Sequence, residues 1–352
     1  MQEFINEMLQ MLLTASLGFV LAMALTPIYT FFAYKYRFWK KQRTESTTGE
    51  KLEVFTKLHA HKFKGQRHFP TMAGIVSVVA IIAITLLFNW SRAQTWLIGT
   101  ALIGGAFLGL VDDIINVYGV NILRVGFLKS KGAAGLRAPV KFLMITALGL
   151  ALGWFFYFRL GYNIIPLPFF EPWHVGIWII PIFAFAVVAT SNAVNITDGL
   201  DGLAGGLLVM AFMAFGTIAV VQGNYGIAGF CWTCVGVLIA YLWFNVYPAR
   251  FMMGDVGSFA FGTALGVVAM QLGCFFLLPI ICGVFVIEAG SSLIQILSKK
   301  IFGRKVFPSA PIHQTLLLKW GSETKVVARL WIIGGILAMV GMMMALGGIM
   351  GV

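Results

Sequence analysis

Residues 202–221 read GLAGGLLVMAFMAFGTIAVV, and after only QGNY residues 226–246 read GIAGFCWTCVGVLIAYLWFNV; neither run holds a charge. As a helix rising about 1.5 Å per residue, each is long enough to cross the ~30 Å hydrocarbon core of a bilayer. The short polar link makes them a tight antiparallel pair. Working outward, apolar runs bounded by charges, Pro or Gly predict ten spans, at 9–33, 70–89, 95–111, 138–158, 174–193, 202–221, 226–246, 256–273, 275–297 and 327–350. The expected fold is an all-α, polytopic integral membrane protein of about ten helices. It forms a single transmembrane domain over residues 1–352, with cytoplasmic loops at 34–69, 112–137 and 298–326. The runs are continuous and do not alternate with period two, which argues against a barrel.

Composition agrees. Of 352 residues 59% are hydrophobic and 11% charged, with a mean hydropathy of +0.90, too few polar side chains to cover a water-soluble surface of that size. Disorder, collagen-like repetition and a disulfide-stapled fold are excluded by the same numbers. The net charge of +12 is better read as basic cytoplasmic loops than as a nucleic-acid surface. The segments after spans 1, 3, 5, 7 and 9 hold 23 of the 25 Lys and Arg residues, which puts both termini outside. Glu3 and Glu7 stand where a signal peptide would carry Lys or Arg, so the first span is expected to be retained. All four cysteines lie in apolar runs, and the Cys231-x-x-Cys234 pair lacks a second Cys or His pair, so helix packing is their expected role.

The acids carry the chemistry. Asp112 and Asp113 end one span, Asp198 and Asp201 lie between two others, Asp255 precedes a fourth, and Glu288 falls inside the ninth. On the topology above, the five aspartates share one membrane depth at cytoplasmic helix ends and can converge. Adjacent carboxylates near hydrocarbon repel each other unless a cation is present. A hard divalent ion such as Mg²⁺, which takes carboxylate, water and phosphate oxygens, removes that difficulty. Each aspartate alone could equally be a helix cap or turn residue. The loops Lys35 to Arg67 and Arg124 to Lys141 carry 15 basic residues, with His59, His61 and His68, on the same side. Metal beside a basic rim suits a diphosphate substrate. No Walker pattern occurs; Gly205 and Gly206 read as close packing, Gly254 and Gly257 as a ligand-facing turn, and Glu288 with Ser291, Ser292 and Gln295 as a polar contact between helices.

Four ordered motifs carry a resemblance: Asp112-Asp113, the run Ser191-Asn192-Ala193-Val194-Asn195-Ile196-Thr197-Asp198-Gly199-Leu200-Asp201-Gly202, Met253-Gly254-Asp255-Val256-Gly257-Ser258, and Ala310-Pro311-Ile312-His313. With Pro70-Thr71-Met72-Ala73-Gly74 and Phe285-Val286-Ile287-Glu288, they resemble the polyprenyl-phosphate N-acetylhexosamine-1-phosphate transferases, most closely the muramoyl-pentapeptide subgroup. The resemblance runs from about residue 55 to the C-terminus. It implies a Mg²⁺-dependent exchange at the cytoplasmic side of the plasma (inner) membrane, in peptidoglycan biosynthesis for the cell wall. In it undecaprenyl phosphate attacks UDP-MurNAc-pentapeptide to give lipid I and UMP. By motif position, Asp255 is the metal ligand, and Asp112 and Asp113 handle the lipid phosphate or its proton. Asn195, Asp198, Asp201 and Asn245 line the nucleotide pocket, and Lys141, His313 and Thr71 join the substrate-binding set. A homodimer stays open.

The chain departs from the family pattern at Asn116, where a Lys is usual, and at Pro139, near which Arg137 could substitute. It also has His313-Gln314-Thr315 in place of three histidines, and Gln66-Arg67-His68-Phe69 before Pro70. These keep open a sister transferase using UDP-GlcNAc or a related donor, and a catalytically inactive scaffold. A secondary transporter would need midplane charges, for which Glu288 is the one candidate.

Overall fold

The computed structural model describes residues 2–39, 70–89, 93–118 and 135–350. The basic residues of 40–67, Arg92, the residues 119–134, and His59, His61 and His68 lie outside the described residues. The chain is helical, with α1 Gln2–Lys35, α2 Gly74–Phe88, α3 Ala93–Tyr118, α4 Ala138–Phe158, α5 Ile179–Thr197, α6 Leu203–Val221, α7 Tyr225–Asn245, α8 Gly254–Gln271, α9 Leu278–Ile281, α10 Gly283–Phe302, α11 Ile312–Trp320 and α12 Glu323–Met350. A hairpin of β1 Ile164–Leu167 and β2 Phe170–His174, antiparallel with Ile165 opposite Trp173, joins α4 to α5. It was not expected. Pro166 and Pro168 bar a helix there, and Ile165, buried, pins the strand to the bundle.

Among the described residues seven helices are long and apolar enough to cross a membrane: α1, α3, α4, α5 with its leading turn, α6, α7 and α12. The remaining apolar runs are helical too, but differ for physical reasons. Helix α2 is short, at 15 residues. Helix α8 is less apolar and has every residue buried, so its neighbours are other helices and not lipid. The run 275–297 is broken at Cys282 into α9 and α10. Two expected loops are shorter than the sequence suggests. Helix α3 continues through Asp112 to Tyr118, since neither Gly nor Pro interrupts Val111–Tyr118, and α10 and α11 occupy much of 298–326.

Helix α8 is the axis of the bundle, with α3 and α5 packed along it and α2 at its start. Small residues let the backbones close. Gly105 and Gly109 on α3 face Phe259, Thr263 and the Asp255 carbonyl, while Gly262 and Gly266 on α8 face Ser191 and Val187 of α5. Such four-residue spacings are how helices approach without an apolar-versus-water driving force between them. Thr263 ties the seam further, donating from Oγ1 to the Ala101 carbonyl at 2.8 Å. All four cysteines are free and buried, as packing residues should be.

A Cβ on Gly262 would stand 2.5 Å from the Ser191 Cα, whereas one on Gly290 meets nothing within 4 Å. Gly262→Ala is expected to lower stability by about 1–3 kcal/mol through overpacking, and Gly290→Ala to leave it unchanged or raise it slightly. Thermal unfolding in detergent micelles reads both.

Candidate functional site

Adjacent residues on a helix point about 100° apart, so Asp112 and Asp113 of α3 reach different neighbours. Asp112 accepts the Leu136 N–H at Oδ1 (2.7 Å) and pairs through Oδ2 with the Lys141 ammonium. Asp113 accepts the Val256 N–H at Oδ2 (3.1 Å), satisfying one of the donors that the start of α8 leaves open. Lys141, in the first turn of α4, also reaches Asp255 Oδ2 at 2.9 Å. One ammonium thus bridges carboxylates from two helices, and all three aspartates are buried. The five-residue segment from Pro70 to Gly74 completes this wall. It is fixed by backbone bonds from Met252 N to the Pro70 carbonyl (3.0 Å) and from Ala73 N to the Met252 carbonyl (3.1 Å). Gly254, at φ +73°, allows the approach, since a Cβ there would lie 2.5 Å from Asp113 Oδ2 and 2.7 Å from Thr71 Oγ1. Asp112, Asp113, Asp255, Lys141 and Thr71 therefore come together at the start of α8.

The donor set is oxygen, the chemistry a hard divalent ion takes. Among the described residues, no three acidic, imidazole or thiol groups close on a single point. The Lys141 ammonium lies between Asp112 and Asp255, so an ion at Asp255 would share that carboxylate with it.

One turn along α8, Ser258 Oγ receives the Asn195 Nδ2 donor at 2.8 Å, which seats Asn195 beside the acid group. Asp198, partly exposed, ends α5. Asp201 and Asn245 behave differently from the expected pocket lining. Asp201 Oδ2 accepts the Ala249 N–H at 3.0 Å. Asn245 accepts the Gly202 N–H at 3.0 Å and donates to the Phe251 carbonyl at 2.8 Å. Both are almost wholly buried and brace the 246–251 link that delivers the chain to α8. Residue type and position look the same for a brace and for a ligand contact, so the sequence could not separate the two roles.

His313 lies beside Gly199, which follows Asp198 in the chain. Its Nδ1 is 2.9 Å from Glu288 Oε2, and its Nε2 abuts Gly199, where a Cβ would stand 2.6 Å away. Glu288 therefore makes the buried polar contact between helices that the sequence led one to expect, joining α10 to His313 of α11. Glu288, Ser291, Gln295 and Ser298 form one face of α10 that holds the chain from 304 to 313. Ser291 Oγ accepts the Ile312 N–H (2.9 Å), Gln295 Oε1 accepts from Val306 and Phe307 N–H (3.0 Å each), and Ser298 Oγ donates to the Arg304 carbonyl (3.0 Å). The spacing 288, 291, 295, 298 is the signal that would have revealed this face. Gln314 and Thr315, the departures beside His313, both bond to Ser309 and shape the turn before α11.

The helical bundle gathers carboxylates and a lysine near its helix ends, and residues 93–273 match the family model described as glycosyl transferase family 4. Three relatives extend the likeness over nearly the whole chain, each named phospho-N-acetylmuramoyl-pentapeptide-transferase. That of Chloroflexus aggregans is 34% identical over 97% of this chain and 91% of its own length. That of Clostridium novyi is 31% identical over 94% and 95%, and that of Bacillus anthracis 34% over 94% and 96%. The chain belongs to the phospho-N-acetylmuramoyl-pentapeptide-transferase family.

Asn245→Leu strands a buried N–H and a buried C=O at once. A stability loss of about 2 kcal/mol or more is expected, with faster amide exchange confined to 246–251 and the start of α8, read by hydrogen–deuterium exchange.

Proposed function

We propose that the chain transfers phospho-MurNAc-pentapeptide from UDP-MurNAc-pentapeptide to undecaprenyl phosphate, giving lipid I and UMP. Family membership supports the donor and acceptor classes. The observation that carries the chemistry is the Lys141 ammonium held between Asp112 and Asp255, with Asp113 at the first turn of α8. A phosphate oxygen of the acceptor attacks the sugar-linked phosphorus, and the bond from that phosphorus to the bridging oxygen breaks as UMP leaves. Asp112 and Asp113 receive the acceptor phosphate and take up its proton. Lys141 offsets the negative charge of the diphosphate. Asn195 and Asp198 face the nucleotide, and His313, oriented by Glu288, faces the donor. Asp255 would hold Mg²⁺, which when bound would supply charge neutralisation for the leaving group.

The same reading puts about ten crossings in the plasma membrane, with both termini outside and the site toward the cytoplasm. Supporting it are the 23 of 25 basic residues on one side and the common placement of Asp112, Lys141, Asn195 and Asp255 near helix ends. A second reading, a sister transferase acting on UDP-GlcNAc, draws on Gln314 and Thr315 standing where histidines are usual.

Purified protein in detergent with undecaprenyl phosphate and Mg²⁺ is expected to release UMP from the muramoyl-pentapeptide donor. Release from UDP-GlcNAc alone would favour the sister enzyme, and no release from any donor would refute both. Chelation should abolish turnover and Mg²⁺ restore it. Asp255→Asn should cost on the order of 100-fold or more in kcat with the melting temperature kept. Lys141→Met, which leaves two buried carboxylates facing each other, should lose about 3 kcal/mol of stability as well as activity.

A further inference from the structure

The turn between α5 and α6, residues 198–202, carries Asp198, and two of its backbone donors are met by side chains of other helices. The Gly202 N–H goes to Asn245 Oδ1 at 3.0 Å, and the Asp201 N–H goes to Glu323 Oε1 at 2.8 Å. Glu323 opens α12, 122 positions further along the chain. Its carboxylate lies at the N-terminal end of α6, where backbone N–H groups are left open and negative charge is favoured, so it caps that helix from a distant part of the sequence. The contact is backed by close packing of α12 along α6: a Cβ on Gly206 would stand 2.2 Å from the Trp331 ring.

The same stretch of chain grips the turn a second time. His313, in the first turn of α11, abuts Gly199, where a Cβ would stand 2.6 Å from Nε2. Residues 313 and 323 thus hold Gly199 and Asp201, on either side of the fully buried Leu200. A contact at Gly199 alone would let the turn pivot, and the bond at Asp201 prevents it. Asp198 directly precedes Gly199, so its place relative to His313 is set by this two-point grip. We infer that Glu323 is a positioning residue for the donor: by accepting the Asp201 N–H it fixes the 198–202 turn so that Asp198 and His313 meet the UDP-sugar together. The inference rests on the reading of Asp198 and His313 as donor-facing, and it adds a residue that acts on the donor only through the turn.

Glu323→Ala removes the acceptor, whereas Glu323→Gln keeps an oxygen for the Asp201 N–H. The alanine variant should raise KM for the UDP-sugar by about tenfold, as expected for losing one hydrogen bond to a charged group. Its kcat and its KM for undecaprenyl phosphate should stay within about twofold of wild type, and Glu323→Gln should bring the donor KM back to within about threefold. Hydrogen–deuterium exchange should show the Asp201 amide exchanging faster in Glu323→Ala, with α3 unchanged. Should the alanine variant fail to fold, Glu323→Asp, which draws the acceptor back by one methylene, reads the same split. Equal rises in both KM values, a fall in kcat alone, unchanged kinetics, or a glutamine variant as impaired as the alanine one would each overturn the inference. Wild-type protein inactive on every donor would instead overturn the functional reading on which it stands.

Discussion

Everything at the site depends on how three buried carboxylates are kept from repelling one another. Asp255 begins a helix with no exposed residue, and Asp112 and Asp113 come at it from α3. In a low-dielectric interior like charges at short range are costly. The fold answers with the Lys141 ammonium between Asp112 and Asp255 and with backbone N–H groups for Asp112 and Asp113. Each solution also positions a segment. The bond to Leu136 N sets the entry of α4, which brings Lys141, and the bond to Val256 N sets the start of α8, which carries Asp255. Electrostatic need and chain path are solved by the same contacts.

The membrane bundle and the acid group were legible in the sequence because both are written in strong signals. Long uncharged runs have few alternatives to spanning helices, and aspartates at the ends of those runs have few reasons to be there. Other features were not legible, for identifiable reasons. The hydropathy of α8 is diluted by Gly, Ser, Thr and Asp255, residues a helix can carry when other helices surround it, so a count based on mean hydropathy leaves it out. The β1–β2 hairpin sits in a short segment rich in Pro and aromatics that carries no alternating pattern. Glu288 reads as a midplane charge if 275–297 is one straight span, whereas the run breaks at Cys282 and Glu288 pairs with His313 beside Gly199.

Roles were harder than positions. Asn195, Asp198, Asp201 and Asn245 were read alike, yet Asp201 accepts the Ala249 N–H and Asn245 joins the Gly202 N–H to the Phe251 carbonyl. Asn116 shows the converse. In sequence it is a departure from the family pattern, and in the structure it is a buried polar group with no hydrogen-bond partner among the described residues. Asparagine serves as brace or as ligand contact with equal ease, so its role is settled by what surrounds the amide and not by its neighbours in the chain.

The complete enclosure of α8 has a consequence for how the surrounding lipid can act. Changes in acyl-chain length, fluidity or headgroup composition reach the exposed faces of the outer helices, whereas every residue of the axial helix is buried. Any influence of the bilayer on Asp255 is therefore relayed mechanically, through the glycine-lined seams with α3 and α5 and through Lys141 of α4.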